Sequence, residues 1–286
     1  MRFQSPESVD EAVALLAADP EARVLAGGTD LLVRLRMGDV APSAVIDIKR
    51  ITEMTTIAQD DGGWRIGAAV PSAEMNETAA LVTDWPGVTE AADLIGSTQI
   101  QGRATVAGNL CNASPAADSV PAMVAAGAVA RVAGPNGSRD VPVEDIPTGP
   151  GQTSLAQGEL VTSIFLPAKP ENSGSAYLRF IPRTEMDIAV VGVGITLTLD
   201  SAGAVTAAKI ALGAVGPKVI VAGDAAKTLI GTTGDDPALD ALAAACSAAA
   251  TPIDDKRGTA EFRRDVTGVI AKRTARIALA RAKGEA

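Results

Sequence analysis

The sequence predicts an α+β protein in two parts, and three observations lead there. Between Val24 and Ile48 an apolar run, a glycine pair, a helix-like run and a second apolar run follow one another. That strand–loop–helix–strand order marks a small parallel sheet. The polar stretch PAKPENSGS, residues 167–175, is rich in Pro, Gly and Ser and reads as a boundary. Beyond it, VGVGITLTL (191–199) alternates large apolar residues with Gly or Thr, the pattern of a half-buried antiparallel strand.

The elements follow in order. Residues 5–18 are expected to be helical: Ser8 and Glu11 fit a capping box, Val9, Val13 and Leu16 share a face, and Asp19-Pro20 ends the run. Val24–Ala26 is a short buried strand, Asp30 to Met37 a helix, and Ala44 to Ile48 another strand. WRIGAAV (64–70) predicts a strand, PSAEMNETAALV (71–82) a helix, and 87–95 a further helix. Residues 102–115 read as a glycine-containing loop, and 122–133 fits either a helix end or a strand. Asn136-Gly137 forms the tip of a hairpin. After the strand at 191–199 a turn at 201–203 returns the chain along AAKIALGAV. Helices are expected at about 223–230, 236–250 and 259–283, the last with Phe262, Val266, Val269, Ile270 and Ile277 at helical spacing.

Composition excludes several functions. An apolar content of 47% over 286 residues supports a sizeable core, and 2% aromatics makes that core aliphatic. A net charge of −9 disfavours nucleic-acid binding, which needs basic clusters. No stretch of about 18 uninterrupted apolar residues occurs, and MRFQSPESVDEAVALL lacks a secretory apolar segment, so a soluble cytoplasmic protein is expected. With no histidine there is no Ser-His-Asp triad, no histidine metal ligand and no histidyl-linked flavin. Cys111 and Cys246 alone cannot hold an iron–sulfur cluster or structural zinc. A chain this poor in catalytic side chains points to a borrowed cofactor or to no catalysis. Residues 256–283 carry nine Lys/Arg against two acids, either a solvated basic face or a docking surface.

Two glycine-containing segments carry the functional argument. RVLAGGTDLLVRL (23–35) places Gly27-Gly28-Thr29 between a strand and a helix. GRATVAGNLCNASPAADSVPAM (102–123) repeats the theme, with Thr105, Gly108 and Asn109 in a small, hydrogen-bonding run and Asp118 near a helix start. Each leaves backbone N–H groups free beside a helix N-terminus, where an anion can bind. A diphosphate held between the two would take donors from Thr29, Thr105 and Asn109, and Asp118 could accept from a sugar or ribityl hydroxyl. Gly192-Val193-Gly194 and Gly213–Lys218 match neither a Rossmann fingerprint nor a P-loop.

VLAGGTDLL together with TVAGNLCNASPAADSVPAM resembles the FAD-binding (medium) subunit of the molybdenum hydroxylase family, the carbon monoxide dehydrogenase and xanthine dehydrogenase type. PTGPGQTSLAQGELVTSIFLP (147–167), RFIPRTEMDIAVVGVG (179–194) and DDKRGTAEFRRD (254–265) continue the likeness in family order. The resemblance implies a two-part FAD-binding α/β domain of the PCMH type over 1–170, with subdomains of about 1–55 and 56–170. A C-terminal domain over 171–286 would hold a three-stranded antiparallel sheet with helices. It also implies non-covalent FAD. Arg23, Val24, Leu25, Ala26, Gly27, Gly28 and Thr29 would serve its pyrophosphate region, and Thr105, Gly108, Asn109 and Asp118 would join them from the second segment. Ile95 and Ile100 would lie near the flavin, and Val161 and Arg179 near the adenine or the ring. Ala107 stands where the family often has a glycine, so slightly different backbone geometry is expected there. By the same resemblance, the molybdenum cofactor and the [2Fe–2S] clusters belong to a large and a small partner subunit, in a dimer of heterotrimers. This chain would pass electrons from the clusters through FAD to an external acceptor. Two other readings stay open: a stand-alone FAD-dependent oxidase of the same fold, and a nucleotide-binding module without redox chemistry.

Overall fold

The computed structural model describes residues 1–184 and 186–285. Glu185, inside the segment at 179–194, lies outside the described residues. The first unit holds strand β1 (Arg2–Gln4), helix α1 (Val9–Ala18), β2 (Arg23–Leu25), α2 (Leu31–Met37) and β3 (Ala44–Asp47). Its sheet is parallel, in the order β1-β3-β2. Helix α1 starts where expected, because Ser8 accepts from the Glu11 amide. The Glu11 carboxylate reaches back to the Glu7 amide, one residue before the usual capping-box partner.

The second unit begins with β4 (Ile57–Asp60) and β5 (Gly63–Gly67). Five short helices follow: α3 (Ser72–Glu77), α4 (Ala79–Asp84), α5 (Pro86–Asp93), α6 (Thr98–Gln101) and α7 (Val106–Asn112). After α8 (Ser119–Ala125) come β6 (Val129–Gly134), β7 (Gly137–Pro142), β8 (Pro147–Gly149), β9 (Gln152–Thr153) and β10 (Leu160–Leu166). The antiparallel sheet runs β4-β5-β10-β6-β7. The β6–β7 hairpin closes between Gly134 and Gly137, so Pro135-Asn136 is its tip, one residue earlier than the sequence signal.

Three sequence expectations change here. The strand expected to Val70 stops at Gly67, whose Cβ position would lie 2.4 Å from the Met54 backbone. The single helix over 71–82 is two, broken at Thr78, which leaves helical geometry at φ −84°, ψ 86°. The loop at 102–115 contains α7, started by Thr105, which accepts from the Gly108 amide, and ended by Ala113 at φ 50°.

The third unit comprises β11 (Ser173–Phe180), β12 (Val191–Leu199), β13 (Val205–Gly213), β14 (Ile220–Val221), α9 (Gly223–Lys227), α10 (Asp236–Ala249) and α11 (Ala260–Ala282). Its antiparallel sheet has four strands, not three, because the two-residue β14 pairs with the end of β13. Strand β12 is half-buried only in its second half: all residues from Val191 to Ile195 are buried, and alternation holds from Thr196 to Leu199. One face packs on α11 and the other on α8 of the second unit. A Cβ on Gly194 would lie 2.4 Å from the Pro121 carbonyl oxygen. The glycines of the alternation thus record close approach of neighbouring groups, whereas Thr196 and Thr198 stay partly exposed. Helix α11 also differs from expectation. Phe262 and Val269 are exposed, and the buried face is Thr267, Gly268, Ile270, Ala271, Thr274, Ala275, Ala278 and Leu279. Small residues let α11 lie close on β11, where the Gly174 Cβ position would be 2.1 Å from the Ala278 carbonyl oxygen.

Two hydrophobic cores result. One gathers residues from Ala12 to Leu166, together with Tyr177, Ala211 and Val219 from the third unit. The other gathers residues from Ala176 to Ala282. Among the described residues no helix is long and apolar enough to cross a membrane.

Candidate functional site

The loop after β2 and the start of α7 meet across one cleft. Gly27 faces the chain at Arg103-Ala104, where a Cβ would lie 1.8 Å from the Arg103 carbonyl oxygen. Gly28 adopts φ +78°, a left-handed conformation in which its Cβ position would be 2.7 Å from Leu25 Cδ1. Both glycines therefore have local reasons before any ligand is considered. The amides of Gly27, Gly28, Thr29 and Asp30 have no hydrogen-bond partner among the described residues. Lys49 steadies the loop from below, donating to the Ala26 carbonyl at 2.9 Å and to Asp47 at 2.5 Å.

On the facing side Thr105 accepts from the Gly108 amide at 2.9 Å. The amides of Val106 and Ala107 stand in the first turn of α7, ahead of any intrahelical partner. Asn109 Oδ1 accepts from the Ser119 hydroxyl at 2.7 Å, which leaves its amide nitrogen as a donor. The cleft so formed encloses about 230 Å³. Apolar walls come from Ile48, Ile95, Leu155 and Val161.

The structure brings together Arg23, Val24, Ala26, Gly27, Gly28, Thr29, Ile95, Thr105, Gly108, Asn109 and Val161 on this lining. Four expected residues lie elsewhere. Leu25 is buried beneath the loop. Ile100 packs on Gly96, whose Cβ position is 3.0 Å from Ile100 Cβ. Asp118 and Arg179 form a buried pair behind the cleft, 2.6 Å apart. Asp118 also accepts from the Tyr177 hydroxyl at 2.8 Å, and Arg179 donates to the Leu94 carbonyl at 3.0 Å. Burial raises the Asp118 pKa, opposed by the Arg179 charge and by its two hydrogen bonds. Burial also raises the Tyr177 pKa well above its usual value, with Asp118 adding to the effect. The Asp118 carboxylate is thus already engaged by two protein donors.

Sequence reasoning missed Arg34 and Glu159, which line the cleft together with Cys111. Arg34 follows Asp30 at helical i,i+4 spacing, a signal that was readable. Glu159 is held by Arg139 through two hydrogen bonds of 2.9 and 2.8 Å, across a separation of twenty residues that no local pattern marks. Burial pushes the Cys111 thiol up to about 12, which fits a small filler.

The donor set suits a diphosphate. Unpartnered amides converge from two segments, no side chain larger than a methyl intervenes at Gly27, Gly28, Ala107 or Gly108, and apolar walls extend on either side. A cleft with free backbone amides on two sides and apolar walls beyond them is suited to a phosphorylated cofactor. The comparisons with known proteins specify which. The family model described as the FAD binding domain in molybdopterin dehydrogenase matches residues 1–169, and that of the CO dehydrogenase flavoprotein C-terminal domain matches 176–278. The chain belongs to the family of FAD-binding subunits of molybdenum hydroxylases. It is 33% identical over 282 residues to the carbon monoxide dehydrogenase medium chain of Afipia carboxidovorans, covering 98% of this chain and 97% of that one. It is 31% identical over 285 residues to a putative xanthine dehydrogenase FAD-binding subunit of Escherichia coli, covering 99% and 97%. The reconstituted CO dehydrogenase structure from Oligotropha carboxidovorans superposes with a TM-score of 0.94 at 32% identity, covering 98% of both chains. Quinoline 2-oxidoreductase from Pseudomonas putida 86 superposes at 0.89 with 27% identity, covering 100% of this chain and 98% of that one. The chain is therefore an FAD-binding oxidoreductase subunit of the molybdenum hydroxylase type.

Proposed function

We propose that the cleft between the Gly27–Asp30 loop and the start of α7 holds the diphosphate of non-covalently bound FAD. The chain then carries electrons from the [2Fe–2S] clusters of a small partner subunit to an external acceptor. The observation that carries this reading is the convergence of the unpartnered amides of Gly27, Gly28, Thr29 and Asp30 with the first turn of α7. The bound FAD supplies all the redox chemistry. The protein's own work is to bind, orient and shield. Backbone donors neutralise the diphosphate, and Arg23 and Arg34 add positive charge at the rim. Ile95 and Val161 present apolar wall to the ring systems. The Arg179 guanidinium, from β11 of the third unit, spans Leu94 and Asp118, and so ties the turn that carries Ile95 to the segment that leads into α8. We retain Asp118 as a group of the site, acting through Arg179 and Tyr177 rather than by reaching the cofactor. No protein general base is required for outer-sphere electron transfer, which suits a chain without histidine.

In this reading 1–170 is the FAD-binding domain and 171–286 the C-terminal one. The complex is a cytoplasmic dimer of heterotrimers, with molybdenum on the large subunit. The test uses the purified FAD-loaded chain alone. It should fail to oxidise reduced heterocycles, aldehydes or carbon monoxide, while dithionite bleaches its flavin absorbance. Substrate turnover by the isolated chain would replace this reading with that of a stand-alone oxidase.

A further inference from the structure

The amides of the Gly27–Asp30 loop can hold an anion only if their N–H groups point into the cleft. At the far end of the loop the helix sets this direction. The Gly28 carbonyl accepts from the Leu32 amide at 3.0 Å, which fixes the peptide that carries the Thr29 N–H. At the near end no ladder does the same. Strand β2 stops at Leu25, so the Ala26 carbonyl lies beyond the sheet. Gly27 follows, and glycine lets the Ala26–Gly27 peptide plane turn over at little cost. One orientation offers the Gly27 N–H to the cleft. The reverse offers the Ala26 carbonyl, an acceptor facing an anion.

A single side chain selects between them. The Lys49 ammonium donates to the Ala26 carbonyl at 2.9 Å, and Asp47 holds it there at 2.5 Å. Ala26 and Gly27 line the cleft, whereas Lys49 is absent from its lining. The Ala26–Gly27 peptide is trans, so its carbonyl and its N–H point in opposite directions. A carbonyl tied to a group outside the cleft therefore turns the Gly27 N–H toward the interior, and that N–H has no partner among the described residues. The Asp47 carboxylate balances the ammonium charge, so the pair adds little net field at the cleft. Its effect is direction rather than attraction.

We infer that Lys49 is a positioning residue for the cofactor diphosphate: it locks the Ala26–Gly27 peptide with the N–H facing the phosphates and does not itself touch them. The inference rests on the reading of the cleft as a diphosphate cradle. Loss of the lock lets the peptide turn over and set a carbonyl against the anion, so the harm falls on ligands that carry phosphate and spares those that do not.

The apo-chain and its variants are titrated with FAD and with riboflavin, which has no phosphate, and the melting temperature of each apo-chain is recorded. Lys49→Met removes the donor at similar length and should weaken FAD on the order of tenfold, with riboflavin binding unchanged. Lys49→Arg can still donate to both oxygens and should return most of the loss. The phosphorus NMR resonances of bound FAD should move in Lys49→Met and stay in place in Lys49→Arg. Asp47→Asn sheds the carboxylate charge but keeps an acceptor for Lys49, so FAD affinity should not rise. If the melting curve shows that Lys49→Met does not fold, Lys49→Gln, too short to span both oxygens, takes its place with the same expected loss. Equal weakening of FAD and riboflavin overturns the inference, since it would make Lys49 a general support of the fold. Unchanged FAD affinity without the donor overturns it too, as does tighter FAD binding in Asp47→Asn, which would make the ammonium an attracting charge. A wild-type chain that binds FAD no more tightly than riboflavin overturns the cradle reading and this inference together.

Discussion

The Cβ position of Gly27 lies 1.8 Å from the carbonyl oxygen of Arg103, so the two cofactor-binding segments touch through bare backbone. A methyl group there must push the segments apart. Gly27→Ala should therefore lower both thermal stability and FAD content. Gly28→Ala has a different cause: its φ of +78° costs an L-residue on the order of 1–2 kcal/mol, and Leu25 Cδ1 is close. Melting curves of the apo-chains separate the two. Equal FAD loss from both variants at unchanged melting temperature would mean that the glycines serve the ligand alone.

The Arg179–Asp118 pair is 2.6 Å long, with side chains 7% and 10% exposed. Arg179→Leu leaves a buried carboxylate uncompensated and should cost about 3–5 kcal/mol in urea unfolding. Asp118→Asn strands the Arg179 cation instead, but should cost less, because the amide oxygen can still accept from Tyr177 or Arg179 and Arg179 keeps the Leu94 carbonyl. A smaller loss for Arg179→Leu than for Asp118→Asn would contradict the assignment of Asp118 as the group held by Arg179.

Asp255 binds Arg263 at 2.6 Å, and that hydrogen bond, with one from the Arg257 amide, lowers its pKa. A depressed carboxylate pKa contributes stability above the unfolded value that is lost as pH falls through the folded one. The melting temperature of the wild type should drop between about pH 5 and pH 3 more steeply than that of Asp255→Asn. Parallel pH profiles would show that the pair contributes nothing to the docking of α11.

Burial pushes both thiols up to about 12, Cys111 beside the cleft and Cys246 in the third-unit core. Neither should react with iodoacetamide at about pH 8 in the native holoprotein, since the thiolate is the nucleophile. Mass spectrometry should find both alkylated after unfolding. Cys111 is half-buried on the cleft wall, so its rapid labelling in the holoprotein would show that the bound cofactor does not cover it.

Local signals in the sequence were reliable where local chemistry decides structure. Ser8 capping α1, the strand before Gly27 and the hairpin near Asn136-Gly137 needed only neighbouring residues. Much of the cleft was legible because it is built from backbone at glycines, which sequence displays directly. What stayed hidden depends on distant partners. Asp118 looked free to bind a hydroxyl, but Tyr177 and Arg179, about sixty residues downstream, take its oxygens. The alternation of β12 gave no hint that α8 would cover its glycine side. The α11 side chains looked uniformly basic because Asp236, Asp240 and Glu90 are contributed by other elements.

The central claim is that two facing backbone segments form a diphosphate cradle. It is tested most directly by titrating the apo-chain with FAD, FMN and riboflavin and following flavin fluorescence. The cradle gives FAD the highest affinity by a wide margin, since FMN lacks the second phosphate and riboflavin lacks both. Gly108→Val, whose side chain would collide with Thr105 Oγ1 and cover the amides of α7, should reduce that margin. Equal binding of all three flavins, with Gly108→Val indistinguishable from wild type, would contradict the account.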